Sequence, residues 1–135
     1  MAARSKARKR ALDVLFEADL RGRDAVQTLD EWTERADPPV PDYARSLVAG
    51  VAEHRADIDA LLTGFAGDWP LERMPSVDRT ILRLAAYELL HCPDVPDAVV
   101  IDEAVELAKS LSTDESPGFV NGVLAKVLAA KPATG

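Results

Sequence analysis

Apolar residues recur along this chain at intervals of three and four, in stretches separated by short proline-bearing breaks. No stretch shows the period-two alternation of a half-buried strand. The pattern predicts an all-α fold of six or seven helices. They are expected to form two small packed bundles, one over about 4–66 and one over about 70–131, meeting near Trp69.

The first helix is expected over Lys6 to Arg21, ending at Gly22. Ala7, Ala11, Val14, Leu15 and Ala18 share one face, and Leu12, Phe16 and Leu20 a second face roughly 150° away. A helix apolar on two sides is either sandwiched in the core or offers one face, centred on Phe16, to a partner. A weaker helix is expected over Asp24 to Ala36, before the break at Asp37-Pro38-Pro39-Val40-Pro41. One long helix then reads from Asp42 to Phe65, with Tyr43, Leu47, Val48, Val51, Ile58, Leu61, Leu62 and Phe65 as its core stripe. After Gly67, Trp69 and Pro70, a helix over Val77 to His91 turns Val77, Ile81, Leu84, Ala85 and Leu89 inward. The next starts with Asp97 as N-cap and buries Val100, Ala104, Leu107, Ala108 and Leu111. The last, with Ser116 as N-cap and Pro117 at its first position, runs to Ala130. Gly122, inside it, suggests close approach of another helix, since a mid-helix glycine costs about 1 kcal/mol relative to alanine.

At 135 residues and 47% hydrophobic content the chain is sized for one domain with a real core. Its single cysteine, Cys92, excludes an internal disulfide and fits a reducing compartment. No apolar run is long enough to span a membrane and no signal-peptide core follows the N-terminus, so a cytoplasmic location is expected. The net charge of −7 argues against nucleic acid, but its distribution argues for it. Residues 1–23 hold seven of the sixteen Lys and Arg against three acids, a local +4 that leaves −11 for the rest. That is a basic arm on an acidic body. Five of the seven residues Arg4-Ser5-Lys6-Ala7-Arg8-Lys9-Arg10 are cationic, and such side chains contact phosphate, arginine also stacking on unpaired bases.

Catalytic constellations are missing. There is no phosphate-binding glycine loop, no dinucleotide fingerprint and no nucleophile elbow. His54 and His91 lack a ligand pattern, the carboxylates read as solvated helix faces, and Cys92 has no evident base beside it. No cofactor, metal or enzymatic activity is expected.

The C-terminal half narrows the reading. Val77-Asp78-Arg79-Thr80-Ile81-Leu82-Arg83-Leu84-Ala85-Ala86-Tyr87-Glu88-Leu89-Leu90 is followed by Asp94-Val95-Pro96, by Val99-Val100-Ile101-Asp102-Glu103-Ala104-Val105-Glu106-Leu107-Ala108-Lys109, and by Phe119-Val120-Asn121-Gly122-Val123-Leu124. This series closely resembles the NusB family of bacterial transcription antitermination factors, as does the opening Ala7-Arg8-Lys9-Arg10-Ala11-Leu12-Asp13-Val14-Leu15-Phe16-Glu17. The likeness is specific over 76–128 and loose over 22–42. It implies two helical bundles and a non-enzymatic protein. The partners it implies are NusE, a ribosomal small-subunit protein, and single-stranded boxA RNA of ribosomal-RNA leader transcripts. The complex, with other Nus factors and RNA polymerase, promotes read-through of terminators.

By position the resemblance implies RNA contacts at Arg4, Lys6 and Arg8, with Ser5 standing where a further arginine is usual; Lys9 and Arg10 join them on charge alone. Glu115 and Phe119 match a second RNA-approaching segment, Phe119 having core packing as its alternative. Phe16, in place of a frequent tyrosine, Glu72 and Asp78 match the NusE-facing surface. Ala66 stands where some members carry an aromatic, for which Trp69 could substitute unless it is buried at the bundle junction. Two other readings compete: the RNA-binding domain of an rRNA cytosine methyltransferase, for whose catalytic fold and cysteine motifs no room remains, and a structural homodimer through the two-faced first helix.

Overall fold

A computed structural model describes residues 3–35, 39–67 and 69–131. They form α1 (Ala3–Arg21), α2 (Ala25–Arg35), α3 (Asp42–Glu53), α4 (Arg55–Phe65), a 3₁₀ turn (Leu71–Arg73), α5 (Ser76–His91), α6 (Asp97–Leu111) and α7 (Ser116–Ala130). No strand occurs among the described residues, and no helix is long and apolar enough to cross a membrane.

α5 organises the rest. Ile81, Leu82, Leu84, Ala85, Ala86 and Leu89 are all buried on it, and a helix apolar on every side must be covered on every side. α1, α3 and α4 pack on it from the N-terminal half, and α6 and α7 from the C-terminal half. One buried cluster runs through both halves, from Ala7 and Leu15 through Leu47, Ile58 and Leu82 to Leu124 and Val127.

α1 buries Ala7, Ala11, Leu12, Val14, Leu15 and Ala18, while Leu20, expected on its second apolar face, is exposed. The helix ends where Gly22 takes φ +63°. Gly22 N donates to Asp19 O at 3.2 Å and Arg23 N to Ala18 O at 2.8 Å, the paired bonds of a left-handed C-terminal cap that a residue with a Cβ resists. Asp24 then caps α2, accepting from Gln27 N at 3.0 Å.

Leu111, expected to be buried on α6, is 39% exposed, and three further expectations need correction. The helix read as continuous from Asp42 to Phe65 is two helices broken at His54, whose φ and ψ are −103° and 13°. No Gly or Pro marks the break. His54 instead stacks its ring on His91 at 3.9 Å, at the end of α5, with Tyr87 next to both. The N-caps of α6 and α7 are Pro96 and Glu115, with Asp97 and Ser116 already helical. Ser116 is drawn inward because its hydroxyl donates to buried Asp78. Gly122 faces open space, so no close helix explains it. Close approach does explain Gly50: a Cβ there would lie 2.1 Å from Tyr87 Cζ.

A charged network closes the end of the core where α1 finishes. Asp19 accepts from Ser76 Oγ at 2.6 Å, Arg79 Nη2 at 2.5 Å and Arg83 Nη1 at 3.1 Å. Arg83 also reaches Asp59 on α4 through Nε at 2.7 Å and Nη2 at 3.0 Å, and Arg79 Nη1 donates to Leu71 O at 2.8 Å. Burial pushes the Asp19 carboxyl up, but the bonds from Arg79, Ser76 and Arg83 outweigh it and hold the group below its ordinary value.

Candidate nucleic-acid and partner interface

The first turns of α1 carry Arg4, Lys6, Lys9 and Arg10, at the end of the helix where unpaired N–H groups leave partial positive charge. These cations are disfavoured by the dipole of their own helix and find side-chain partners instead. Arg4 reaches Asp94, in the loop between α5 and α6, at 3.0 Å, and its guanidinium carbon lies 4.4 Å from the centre of the Tyr43 ring. The Ser5 hydroxyl donates to Glu103 on α6. Lys6 is exposed. Lys9 pairs with Asp13 one turn on at 2.7 Å, and Arg10 lies 5.5 Å from the centre of the Trp32 ring on α2.

Arg8, expected beside them on the surface, is 3% exposed. Its Nε donates to both Glu88 oxygens, at 2.8 and 3.1 Å, and Nη1 to Glu103 at 3.3 Å. Glu88 is 2% exposed and also accepts from the Tyr43 hydroxyl at 2.7 Å. Burial, then this bond, raises the Tyr43 phenol well above its ordinary pKa. Arg8 thus lies on the buried face of α1, with Ala7, Ala11 and Leu15, and ties it to α5 and α6. Next to this triad the Cys92 thiol is raised by burial first and by Glu88 and Asp94 next, which keeps it protonated.

The second predicted cluster lies at the other end of α6. Arg4 meets Asp94 just before α6 begins and Glu115 follows its last turn, so 15 helical residues, about 22 Å, separate them. Glu115 is exposed. Phe119 is partly buried against the core, and the Trp69 ring lies over it at 4.7 Å with a 58° tilt. Trp69 is 36% exposed, a surface aromatic rather than a buried junction residue. Between the two clusters Asp102 and Glu106 keep the α6 surface acidic, so the structure does not join them into one basic track.

The three partner-facing candidates divide similarly. Phe16 lines a groove of about 160 Å³ with Leu12, Asp13, Val77 and Leu111, where α1, α5 and α6 converge. Glu72 is exposed on the 3₁₀ turn. Asp78 is fully buried, accepting from Ser112 Oγ at 2.5 Å and Ser116 Oγ at 2.8 Å. It cannot meet a partner directly, and it joins the start of α5 to the end of α6 and the start of α7. No group of three or more His, Cys, Asp or Glu among the described residues is placed to hold a metal.

The fold is shared with known proteins. The sequence pattern that defines the NusB family matches residues 5–129. The chain belongs to the NusB family. Transcription antitermination protein NusB of Acidothermus cellulolyticus is 65% identical over 129 residues, covering 96% of this chain and 89% of that protein. NusB of a Nocardioides species is 56% identical, covering 98% of each chain. Among solved structures, NusB of T. maritima superposes with a TM-score of 0.88 at 35% identity, over 96% of this chain and 93% of that one. A chain from a crystal structure of NusB and NusE in complex with double-stranded RNA gives 0.83 at 30% identity, over 94% and 96%. Family membership makes this chain a transcription antitermination protein and not an enzyme.

Tyr43, Asp94 and Glu88 escaped the sequence reading, as did Val77 and Leu111 as groove residues. Tyr43 reads in sequence as part of a core stripe; only the meeting of Tyr43, Asp94 and Glu88 with Arg4 and Arg8 gives them a role.

Proposed function

We propose that the chain binds single-stranded boxA-type RNA through the start of α1, Arg4, Lys6, Lys9 and Arg10 supplying the cations. NusE docks alongside, and the pair, with other Nus factors, carries RNA polymerase through terminators. The observation that carries the RNA reading is the placement of Arg4 and Lys6, accessible at a positively polarised helix end on an otherwise acidic body. Phosphate is attracted there and repelled by the acidic surface elsewhere. Arg8 belongs to the same motif but acts from below, fixing α1 so that its neighbours project outward.

Phe119, with Trp69 over it, serves as a second contact by stacking on a base, and Glu115 accepts from a base amino group. The Phe16 groove is the docking place for NusE, with Glu72 at its rim and Asp78 shaping its floor through the Ser112 and Ser116 bonds. The groove is apolar, small and continuous with α1, which suits one or two anchoring side chains of a protein partner. Support for both partners comes from the solved NusB relative that carries NusE and RNA together. A second copy of this chain would use the same groove, so addition of NusE should dissolve any homodimer.

The test is RNA binding by fluorescence anisotropy, with and without NusE, across a salt series and with a duplex of the same sequence as comparison. Single-stranded affinity should fall steeply with salt, rise with NusE, and weaken in Arg4→Ala and Lys6→Ala. Affinity indifferent to salt and to both substitutions would refute the assignment. Phe16→Ala should abolish the gain from NusE while leaving binding of RNA alone unchanged.

A further inference from the structure

On the reading that the start of α1 binds RNA, we propose that Tyr43 is the stacking platform for one unpaired RNA base. In this arrangement Asp94 keeps Arg4 parked over the ring until a backbone phosphate takes the carboxylate's place.

The ring is held still. Its hydroxyl donates to Glu88 at 2.7 Å, and Glu88 is gripped through both oxygens by buried Arg8. The ring packs against the core on one side and carries the Arg4 guanidinium 4.4 Å from its centre. A guanidinium and a nucleobase are both flat, polar-edged groups that stack on an aromatic face, so one can replace the other. Arg8, at 5.9 Å from the same ring, cannot make that exchange because it is itself buried together with its main partner Glu88.

Arg4 can. Its partner Asp94 has a side chain 66% exposed and its own is 47% exposed, and ion pairs in water are weak and exchangeable. A phosphodiester presents the same anionic oxygens as Asp94, and it arrives tethered to a base. When Arg4 swings to that phosphate, the base attached to it lies within reach of the uncovered ring. Lys6, exposed two residues further along α1, adds to the positive charge of the same helix end. The acidic loop residue Asp94 thus acts as an internal stand-in for RNA, lowering affinity for any anion that brings no base to stack.

The test uses the full chain and a fluorescein-labelled boxA-type single-stranded RNA. Tyr43→Leu should weaken binding about tenfold while the slope of affinity against salt stays the same, because no phosphate contact is lost. Tyr43→Phe keeps the ring but loses the bond that steadies it, and should weaken binding by no more than about threefold. Asp94→Asn should bind about two- to fivefold tighter at low salt, the gain shrinking as salt rises. Asp94 is a surface residue, so this variant remains informative even if Tyr43→Leu fails to fold, which melting by circular dichroism will reveal. Unchanged affinity in Asp94→Asn, or a folded Tyr43→Leu that binds like the parent, overturns the inference. If Arg4→Ala and Lys6→Ala weaken binding while those two variants do not, only the platform is refuted. If Arg4→Ala and Lys6→Ala have no effect either, the interface itself is wrong.

Discussion

Alanine scanning of the basic arm will give a misleading answer at Arg8 unless stability is measured alongside binding. Arg8→Ala removes a guanidinium 3% exposed and leaves Glu88, 2% exposed, with the Tyr43 hydroxyl as its remaining donor. Breaking a buried pair by deleting one partner costs about 3–5 kcal/mol, because the surviving charge is stranded away from water. That is a large share of a total stability of about 5–15 kcal/mol. With a urea m-value of about 2 kcal/mol/M the unfolding midpoint should drop by roughly 2 M. Replacing both partners with apolar groups, as in Arg8→Met with Glu88→Leu, should recover most of the loss, since neither charge then needs a partner. The assay is urea unfolding followed by far-UV circular dichroism for Arg8→Ala, the double variant and Arg4→Ala. Arg4, half exposed and paired with exposed Asp94 beside the Tyr43 ring, should lose little stability. An Arg8→Ala midpoint within experimental error of the parent would refute the argument, as would a double variant less stable than the single one.

Four further outcomes follow from the same packing. Asp19 is held below its ordinary carboxylate pKa, so its contribution is complete above about pH 4 and lost as pH falls through the lower folded value; Asp19→Asn should be less stable at neutral pH and show a flatter acid limb. His91 is lowered by burial first and by His54 beside it, opposed by Glu53 and Asp57, so the neutral ring is favoured in the fold. Stability should therefore decline as pH falls below about 6.5, and thermal melts of His91→Asn should lose that decline. Gly50→Ala puts a Cβ against the Tyr87 ring and should cost about 1–3 kcal/mol in chemical unfolding. Gly122→Ala meets open space in a helix interior and should instead stabilise by up to about 1 kcal/mol; a destabilised Gly122→Ala would show that glycine is needed for another reason.

The helices were legible because their periodicity is a property of local sequence, and five of the seven can be placed from apolar spacing and proline breaks, the other two reading as one. The His54 break was not, since the stripe from Tyr43 to Phe65 keeps its register across it. What breaks the helix is a ring stack with His91, a residue 37 positions away on α5. The caps at Asp97 and Ser116 failed for a similar reason: both residues have hydroxyl or carboxyl groups suited to capping, but distant partners, Lys131 and Asp78, hold them instead.

The site was half legible, and the half that was missed follows a rule. A run of five cations in seven residues reads as one surface patch, yet on a helix those residues point in different directions. Residues 4 and 8 are near neighbours on one flank, and there the helix begins to roll under α5 and α6. Arg4, at the open end, keeps water and Asp94. Arg8, one turn further in, is covered, and two carboxylates, Glu88 and Glu103, balance its charge. Neither acid stands out in sequence, because a glutamate on an amphipathic helix ordinarily faces solvent. The same argument applies to Asp78, read as a partner contact and found beneath the surface with two serine hydroxyls. A charged residue carried over from a family motif can thus serve the interface from inside. What separates the two roles is stability: removal of a surface contact changes binding alone, whereas removal of Arg8 or Asp78 changes unfolding first and binding as a consequence.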